Sequence, residues 1–283
     1  MHSFEQGEII NVSVDFAFAN DVTGPFAIKC FEDVGKEEVF DSEKIGFVLD
    51  HFMPSKDIKS ATQSKFVKEF VERYGIKNFF HSGTGGIEHS LLPEKGFVKP
   101  GGLIVGADSH TTTAGALGAF AIGVGSTDLG IIMALGKTWI KVPKTIKIIF
   151  SGKFNPWVSG KDLILYTISK IGVDGATYKV LEFSGEVIKN LSMAGRFTIC
   201  NMAAEAGAKT GIIEPDEKTI RYLKGRCDNN YKMHKSDKDA NYEKIIEYDV
   251  SNIEPQVAFP SSPFNNFCLS GITEVILEFF SLF

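Results

Sequence analysis

Short apolar runs that stop at polar residues recur along the chain, and this pattern constrains the fold most strongly. Residues 44–49 (KIGFVL) and 102–106 (GLIVG) are runs of the buried-strand type. Residues 8–19 (EIINVSVDFAFA) alternate well enough to predict a strand, and residues 145–152 (TIKIIFSG) predict another. The chain therefore contains several short strands, each followed closely by polar side chains.

Helical patterns separate these runs. Apolar residues between positions 55 and 74 recur at helical spacing, and Gly75 follows them as a typical helix C-cap. Residues 160–171 (GKDLILYTISKI) predict another helix, and the Gly- and Ala-rich residues 114–136 predict closely packed helices. Strands and helices thus alternate, which predicts an α/β fold in which helices layer against sheets.

Composition along the chain predicts two units. Pro143 marks the change from Gly-rich helices to a unit that begins with a strand, so we expect α/β units over residues 1–143 and 144–260. The strongly polar residues 226–249 predict a solvated loop. Residues 261–283 end in the short apolar stretch VILEFFSLF, with Glu274 directly before it and Glu278 within it. The short length and the two glutamates predict a poorly packed tail rather than a membrane anchor.

Charge and cysteine usage exclude several classes of protein. The formal net charge is −5 and the basic residues are scattered, unlike the basic surface of a nucleic-acid-binding protein. No run reaches the roughly 18 apolar residues that a membrane-spanning helix needs, and the start lacks the features of a secretion signal. We therefore expect a cytoplasmic protein that binds neither nucleic acid nor membrane. Four cysteines lie far apart without a C-x-x-C pair, which predicts free thiols and no local metal site: Cys30, Cys200, Cys227 and Cys268.

Histidines with an acidic neighbour follow the apolar runs or a glycine-rich loop. They occur in the stretches Asp50-His51, Glu88-His89 and Asp108-Ser109-His110. In α/β sheets, ligands bind outside the carboxyl ends of the strands, so these residues are placed to converge on one site. A carboxylate beside an imidazole orients it and tunes its pKa, which suits acid–base catalysis near neutral pH. Any single pair is more often an ordinary turn or helix cap, and both interpretations stay open at this point.

Further stretches also admit a functional and a plain interpretation. Residues 81–89 are rich in glycine and could present amide groups to an anion, or simply connect a strand to a helix. Asn201 and Glu205 would share one helix face, either within a polar site or towards solvent. Residues 130–138 resemble a phosphate-binding loop, but the spacing of their glycines is one residue too long, which excludes that motif.

Several motifs occur together in the order found in the aconitase superfamily. Residues 100–125 (PGGLIVGADSHTTTAGALGAFAIGVG) resemble its GDSHT signature, and residues 86–89 (GIEH) resemble its GIxH loop. Residues 50–51 are similar to its DH pair, residues 198–205 (TICNMAAE) to its TICNMxxE stretch, and residues 21–23 to its D-x-T turn. The likeness is specific because the motifs share both order and spacing.

Within the superfamily, residues 136–146 and 214–225 resemble large subunits of the isopropylmalate isomerase (3-isopropylmalate dehydratase) and homoaconitase types. The resemblance implies a three-layer α/β/α aconitase-like fold. It also implies a hydro-lyase that interconverts 2- and 3-isopropylmalate by dehydration and rehydration in leucine biosynthesis. A homoaconitase-type large subunit, and a non-catalytic remnant that binds carboxylates or assists assembly, stay open as alternatives.

The resemblance further implies roles for individual residues. Asp50 and His51 match an acid pair in which the histidine protonates the departing hydroxyl, and His89 is expected to pair with Asp108 rather than with Glu88. The remaining implied site residues are the couple His110 and Glu205, the substrate contacts Ser109, Asn20 and Thr23, and Asn201 beside the cluster.

The cofactor and partner are likewise implied by the resemblance alone. Family members use a [4Fe–4S] cluster whose iron acts as a Lewis acid on a hydroxy-dicarboxylate, and a separate small subunit supplies the base. The family's cluster motifs, GSCTN and a later C-x-x-C, do not occur in this sequence. We therefore expect that this chain does not bind the cluster alone and is inactive alone. We also expect the likeness to end near Pro260, with residues 261–283 as an unrelated tail.

Overall fold

Strands and helices alternate along the computed structural model, which describes residues 4–260, 262–264 and 266–268. The strands are β1 (Ile9–Ser13), β2 (Phe16–Asn20), β3 (Ile45–Val48), β4 (Asn78–Phe80), β5 (Leu103–Gly106), β6 (Phe120–Gly123), β7 (Lys137–Lys141), β8 (Thr145–Ser151), β9 (Val180–Ser184), β10 (Thr210–Ile213), β11 (Lys244–Asp249), β12 (Gln256–Ala258) and β13 (Asn266–Cys268). The α-helices are α1 (Gly24–Val34), α2 (Ile58–Tyr74), α3 (Glu88–Glu94), α4 (Ser126–Leu135), α5 (Gly160–Ile171), α6 (Glu186–Asn190), α7 (Met193–Asn201) and α8 (Glu217–Leu223). The 3-10 helices are Ser109–Leu117, Met202–Ala206 and Val250–Asn252. We call the first of these, Ser109–Leu117, the site helix.

Strands β2 to β6 form a parallel sheet in the order β4-β3-β2-β5-β6. The chain moves outward from β2 through β3 to β4, and then returns to the other side of β2 for β5 and β6. The direction of winding therefore reverses between β2 and β5. In open α/β sheets, this reversal opens a crevice at the carboxyl ends of the two strands, where ligands bind.

The residues of β2 explain why helices cover both faces of this sheet. Phe16 and Phe18 belong to a buried cluster with side chains of α3, the site helix and α8. Ala17 and Ala19 belong to another cluster with side chains of α1, α2 and α4. Because successive side chains of a strand point to opposite faces, both faces of the sheet are apolar and covered. The sheet is the middle of three layers, and the predicted α/β/α fold class is confirmed.

Strands β8 to β11 form another parallel sheet, in the order β10-β9-β8-β11. Its core gathers apolar side chains from α5, α6 and α7 around Phe150 and Phe183. This core is separate from the clusters on the two faces of the first sheet. Each sheet thus has its own apolar core, as expected for two α/β units.

A buried cation ties α7 to the start of α8. Arg196 is fully buried, and its guanidinium donates hydrogen bonds to both carboxylate oxygens of Asp216. The same side chain donates to the carbonyl oxygens of Ile188 and Lys189, each at 3.2 Å. Asp216 also caps α8 by accepting backbone N–H groups of its first turn. The contact between the Arg196 guanidinium and both oxygens of Asp216 is typical of the fork geometry with which arginine binds carboxylates.

The site helix joins the two sheets. It packs against β6 of the first sheet and against α7 and β10 of the second. Gly115 permits this approach, because a Cβ at that position would overlap the carbonyl oxygen of Gly211 in β10. Asn201 adds hydrogen bonds: its Nδ2 donates to Oγ1 of Thr113 at 2.8 Å, and its carbonyl accepts from Oγ1 of Thr112 at 3.1 Å. The position of the site helix therefore depends on both sheets.

Helices predicted over residues 55–74 and 160–171 are confirmed as α2 and α5. Helix α2 begins with a capping box at Asp57 and ends at Gly75, whose φ of 63° lies in the left-handed region. Helix α5 begins with a capping box at Ser159. The predicted apolar runs are confirmed as β3, β5 and β8.

Several predictions of local structure are wrong. Residues 8–19 form two strands, because the chain turns at Asp15, whose Oδ2 accepts the backbone N–H of Leu103 at 2.7 Å. Residues 114–136 contain β6 besides helices, and the Gly- and Ala-rich composition of this stretch does not distinguish the strand from the helices. Residues 226–249, predicted as a solvated loop, end in the edge strand β11. The charged residues on the exposed side of this strand gave the segment the polar composition of a loop.

The connection between the sheets lies between β7, which pairs with β1, and β8. The division of the chain into residues 1–143 and 144–260 stays a prediction. Most of residues 261–283, including VILEFFSLF, lie outside the described residues, whereas β13 pairs antiparallel with β12. Among the described residues, no helix combines the length and the apolar character needed to cross a membrane.

Candidate active site

Acidic residues follow β2, β3 and β5 at the point where the winding of the first sheet reverses. Asp21 comes directly after β2, Asp50 shortly after β3, and Asp108 shortly after β5. Because these strands are parallel, their carboxyl ends meet at one edge of the sheet, where α/β proteins bind ligands. The structure therefore brings polar residues from separate loops to one crevice.

Asp21 organises the loop after β3 and is a residue whose function sequence reasoning missed. Its buried carboxylate accepts backbone N–H groups from Asp50 at 3.1 Å, from His51 at 2.9 Å and from Phe52 at 2.8 Å. The available signal was an acidic residue directly after a buried strand, within the D-x-T turn. Since Asp21 holds the loop through its backbone, the side chains of Asp50 and His51 are free for other contacts.

Asp50 and His51 form the first imidazole–carboxylate couple. Oδ1 of Asp50 lies 2.7 Å from Nδ1 of His51, and the other carboxylate oxygen accepts the backbone N–H of Glu88 at 2.7 Å. The Asp50 side chain is nearly buried, whereas that of His51 is 39% exposed. Nε2 of His51 lies 3.8 Å from Oδ2 of Asp108. The Asp50 carboxylate thus orients the ring through Nδ1 and leaves Nε2 without a contact to Asp50.

His89 pairs with Asp108 and not with its neighbour in sequence. Nε2 of His89 lies 2.8 Å from Oδ1 of Asp108, but 3.6 Å from Oε1 of Glu88. The contact joins the first turn of α3 to the loop after β5. The pair Glu88-His89, suggested by adjacency, is therefore not the hydrogen-bonded one, and the pairing implied by the family resemblance is present.

His110 and Glu205 form a couple that spans the two sheets. Nε2 of His110, on the site helix, lies 3.1 Å from Oε1 of Glu205, and both side chains are more than a third exposed. Helix α7 ends at Asn201 and the chain continues as a 3-10 helix that carries Glu205, so Asn201 and Glu205 do not share the face of one continuous α-helix. Asn201 holds the site helix through its hydrogen bonds with Thr112 and Thr113, while Glu205 contacts the His110 imidazole.

Asp108 is the central carboxylate of the site. Its Oδ1 also accepts the backbone N–H of His110 at 2.8 Å, and Nδ1 of that histidine lies 3.7 Å away. Burial acts to raise the pKa of Asp108, but its interactions with His110 and His89 outweigh burial and hold the pKa well below its usual range. Asp108 is in turn the main cause that raises the pKa of His110 to about 9; burial opposes this effect and Glu205 adds to it. An ionised carboxylate and a protonated imidazole therefore lie side by side at neutral pH.

The implied substrate contacts differ in their exposure. Ser109 is exposed, and its Oγ lies 3.3 Å from Nδ1 of His110. Asn20 is buried, its Oδ1 accepts the Thr23 hydroxyl at 3.0 Å, and its Nδ2 donates to Glu88 at 3.1 Å. Asn20 and Thr23 thus hold the turn after β2, and substrate contact by any of the three stays a prediction.

The cysteines of the described residues do not provide the ligand set of an iron–sulfur cluster. Such a cluster is held by several cysteine thiolates together. Here Cys30 lies against α4, Cys227 follows α8, Cys268 is in β13, and Cys200 is buried in α7, where burial raises the pKa of its thiol. Within the described ranges, donor atoms close enough to share an ion come from the carboxylates and imidazoles of the site. The residues present therefore do not fit the cluster.

Comparison with known proteins identifies the family. The family model described as Aconitase family (aconitate hydratase) matches residues 2–278. The chain belongs to the aconitase family. This match continues beyond Pro260, so the expectation that the likeness ends there is wrong. Membership also makes the chain part of a hydro-lyase family.

Curated relatives of this aconitase-family chain carry the name 3-isopropylmalate dehydratase large subunit. One from Pyrococcus furiosus, named large subunit 1, is 63% identical over 272 residues, covering 96% of this chain and 64% of the relative. One from Halothermothrix orenii is 61% identical over 259 residues, covering 92% of this chain and 62% of the relative. One from Aquifex aeolicus is 58% identical over 272 residues, covering 96% of this chain and 63% of the relative. The chain thus spans less than two thirds of the length of these relatives.

Proposed function

We propose that this chain carries the acid–base residues of an isopropylmalate isomerase large subunit. The reaction interconverts 2- and 3-isopropylmalate by removal and re-addition of water, a step of leucine biosynthesis. The observation that carries the proposal is the grouping of His51, His89 and His110 around the Asp108 carboxylate, where the winding of the sheet reverses. Similarity to proteins named 3-isopropylmalate dehydratase favours this substrate over homoaconitate.

His51 is the proposed acid for the departing hydroxyl group. Asp50 contacts Nδ1 at 2.7 Å, so the ring can present a proton on Nε2, the nitrogen that Asp50 does not contact. The ring is exposed enough for a ligand to reach it, and Asp21 fixes the backbone of its loop. A general acid needs both access to the leaving group and a fixed orientation, and this arrangement supports both.

His110 is the proposed partner for a substrate carboxylate. Its pKa of about 9 keeps the ring protonated at neutral pH, and the exposed Ser109 hydroxyl lies beside it. A hydroxy-dicarboxylate carries two negative charges, and a protonated imidazole can bind one of them through a charge-assisted hydrogen bond. Asp108 and Glu205 hold the ring in place, and His89 joins the network through Oδ1 of Asp108.

The proposal includes a small-subunit partner and a cytoplasmic location. The relatives are named large subunits, and the family resemblance implies that the small subunit supplies the base for the carbon-bound proton. Free thiols among the described residues are typical of a reducing compartment. Family membership implies a [4Fe–4S] cluster, but the cysteines described above do not form its ligand set. We therefore propose that the chain alone neither binds the cluster nor turns over substrate.

Calorimetric titration of the purified chain with 2-isopropylmalate tests the proposal. We expect binding by the native sequence, and at least about tenfold weaker binding by His110→Gln, which loses the charged donor. His234→Gln is the matched control, because His234 lies beside Gly101 before β5, at the opposite end of the sheet. The control variant should bind like the native sequence.

The alternatives predict other results. Tighter binding of homocitrate than of isopropylmalate would favour the homoaconitase type. Mixing the chain with the small subunit and the remaining part of the Pyrococcus furiosus large subunit should generate the unsaturated diacid. Binding without any such turnover would favour a non-catalytic carboxylate-binding protein. Turnover by the chain alone would contradict its proposed inactivity, and equal loss of binding in both histidine variants would contradict the site.

A further inference from the structure

Glu88 carries a carboxyl group that the proposed reaction does not use. Its side chain is 1% exposed and lies at the start of α3, behind the histidine couples. Oε1 accepts the Asn20 amide at 3.1 Å, whereas Oε2 is buried and has no hydrogen-bond partner among the described residues. An ionised carboxylate in this position would lose its hydration without gaining donors for both oxygens. Burial and the missing donor at Oε2 therefore favour the protonated, neutral form of Glu88.

Among the described residues, the titratable groups that face Glu88 are carboxylates and imidazoles from several neighbouring loops. They are Asp21 after β2, Asp50 and His51 after β3, Asp108 after β5, and His89 on α3 itself. Like charges that share a buried site cannot all ionise, and Asp108 is already ionised through its contacts with the histidines. Burial, followed by the charge of Asp50, raises the pKa of Glu88 to about 9, although the Asn20 amide acts in the other direction.

We propose that Glu88 is a positioning residue, a neutral carboxylic acid held beneath the imidazole–carboxylate couples, which acts through His89. In the acid form, Oε1 still accepts the Asn20 amide, and Oε2 becomes a donor. A cavity of about 10 Å³, lined by residues that include Glu88, His89 and Thr111, is at the lower limit for one water molecule, which would accept a hydrogen bond from the protonated Oε2. With Glu88 neutral, the ionised carboxylate that Nε2 of His89 contacts is Asp108, at 2.8 Å, and Oε1 of Glu88 carries no charge at its distance of 3.6 Å.

The consequence for ligand binding rests on the proposed function. Ionised Glu88, with Oε1 at 3.6 Å from Nε2 of His89, would compete with Asp108 for the imidazole. It would also add a buried negative charge to a site that must accept a hydroxy-dicarboxylate. A neutral Glu88 thus keeps His89 paired with Asp108 and lowers the repulsion of the ligand. The affinity for the ligand should decline as Glu88 ionises at alkaline pH.

Proton linkage of unfolding tests the neutral state without any ligand. The native form keeps the Glu88 proton, whereas the unfolded chain releases it above the ordinary glutamate pKa, so rising pH favours unfolding. Relative to Glu88→Gln, the unfolding constant of the native sequence should rise about tenfold per pH unit between about pH 5 and 8. The matched control is Glu72→Gln, because the Glu72 side chain on α2 is 65% exposed. The ratio of the unfolding constant of the native sequence to that of Glu72→Gln should not depend on pH. A flat ratio for Glu88→Gln as well would overturn the proposal.

A direct measurement covers the case in which Glu88→Gln does not fold. Infrared spectra of the native chain at pH 7 should contain the carbonyl band of an un-ionised carboxylic acid, and unfolding should remove it. Its absence in the folded chain would likewise refute a neutral Glu88. For the folded variants, 2-isopropylmalate affinity should fall more steeply above about pH 8 in the native sequence than in Glu88→Gln, since His110 contributes equally to both. If neither binds the ligand at any pH, the proposed function fails, and the proton measurements still decide the state of Glu88.

Discussion

Replacement of Asp108 by asparagine probes the contact on which the site depends. Asp108→Asn keeps the shape of the side chain but removes the charge that His89 and His110 share. In the structure, Oδ1 accepts from Nε2 of His89 and from the backbone of His110, each at 2.8 Å. Because Asp108 is the main cause of the raised pKa of His110, the largest response should occur at that imidazole.

The expected size of the response follows from the pKa of His110. The value of about 9 in the native protein should fall towards the ordinary 6.5, a change of about 2 pH units. Glu205→Gln should lower it less, because Glu205 contributes less than Asp108 and its side chain is 40% exposed. A histidine whose pKa is raised by folding adds stability below its unfolded pKa, and this contribution is lost as the pH rises through about 9. Asp108→Asn should remove most of that pH dependence, and Glu205 should account for the remainder.

Nuclear magnetic resonance titration of the imidazole signals measures this directly. The chain has 6 histidines, and His110→Gln assigns the relevant signal by its disappearance. Asp41→Asn is a control for the loss of one exposed negative charge, because Asp41 is 36% exposed and lies before β3. Its His110 signal should titrate as in the native chain. An unchanged His110 pKa in Asp108→Asn, or a larger change in Glu205→Gln, would refute the central role of Asp108.

Two further substitutions test the packing that positions the site. Arg196→Met removes a fully buried cation from its carboxylate and carbonyl acceptors and should lower the free energy of unfolding by about 3–5 kcal/mol in urea titrations. Exposed Arg221→Met should change it by less than about 0.5 kcal/mol, and similar losses in both would contradict this account. Gly115→Ala should cost more than about 3 kcal/mol or prevent folding, because the new Cβ overlaps the carbonyl of Gly211. Gly125→Ala, which meets only a carboxylate oxygen at 3.8 Å, should cost less than about 1 kcal/mol, and an equal loss would argue against the close approach of the two sheets.

Local patterns were sufficient for those elements whose signal lies within a few neighbouring residues. The apolar runs predicted β3, β5 and β8, and the helical spacing with its caps predicted α2 and α5. Strand β6 was missed because it lies within a Gly- and Ala-rich stretch whose composition does not distinguish it from the neighbouring helices, and β11 because it is a polar edge strand. Periodicity reports burial on one face, and neither segment alternates clearly between apolar and polar residues.

The sequence by itself determined which residues follow the strands, and thereby placed Asp50 and Asp108 at one edge of a parallel sheet. Tertiary structure alone decided the partners. His89 contacts Asp108 rather than adjacent Glu88, and His110 meets Glu205, 95 residues away, because the second sheet docks on the site helix. The physical reason is range: backbone propensity and side-chain periodicity act over a few residues. Hydrogen bonding, burial and charge repulsion depend instead on whatever the fold places nearby, and they set the protonation of His110 and Glu88.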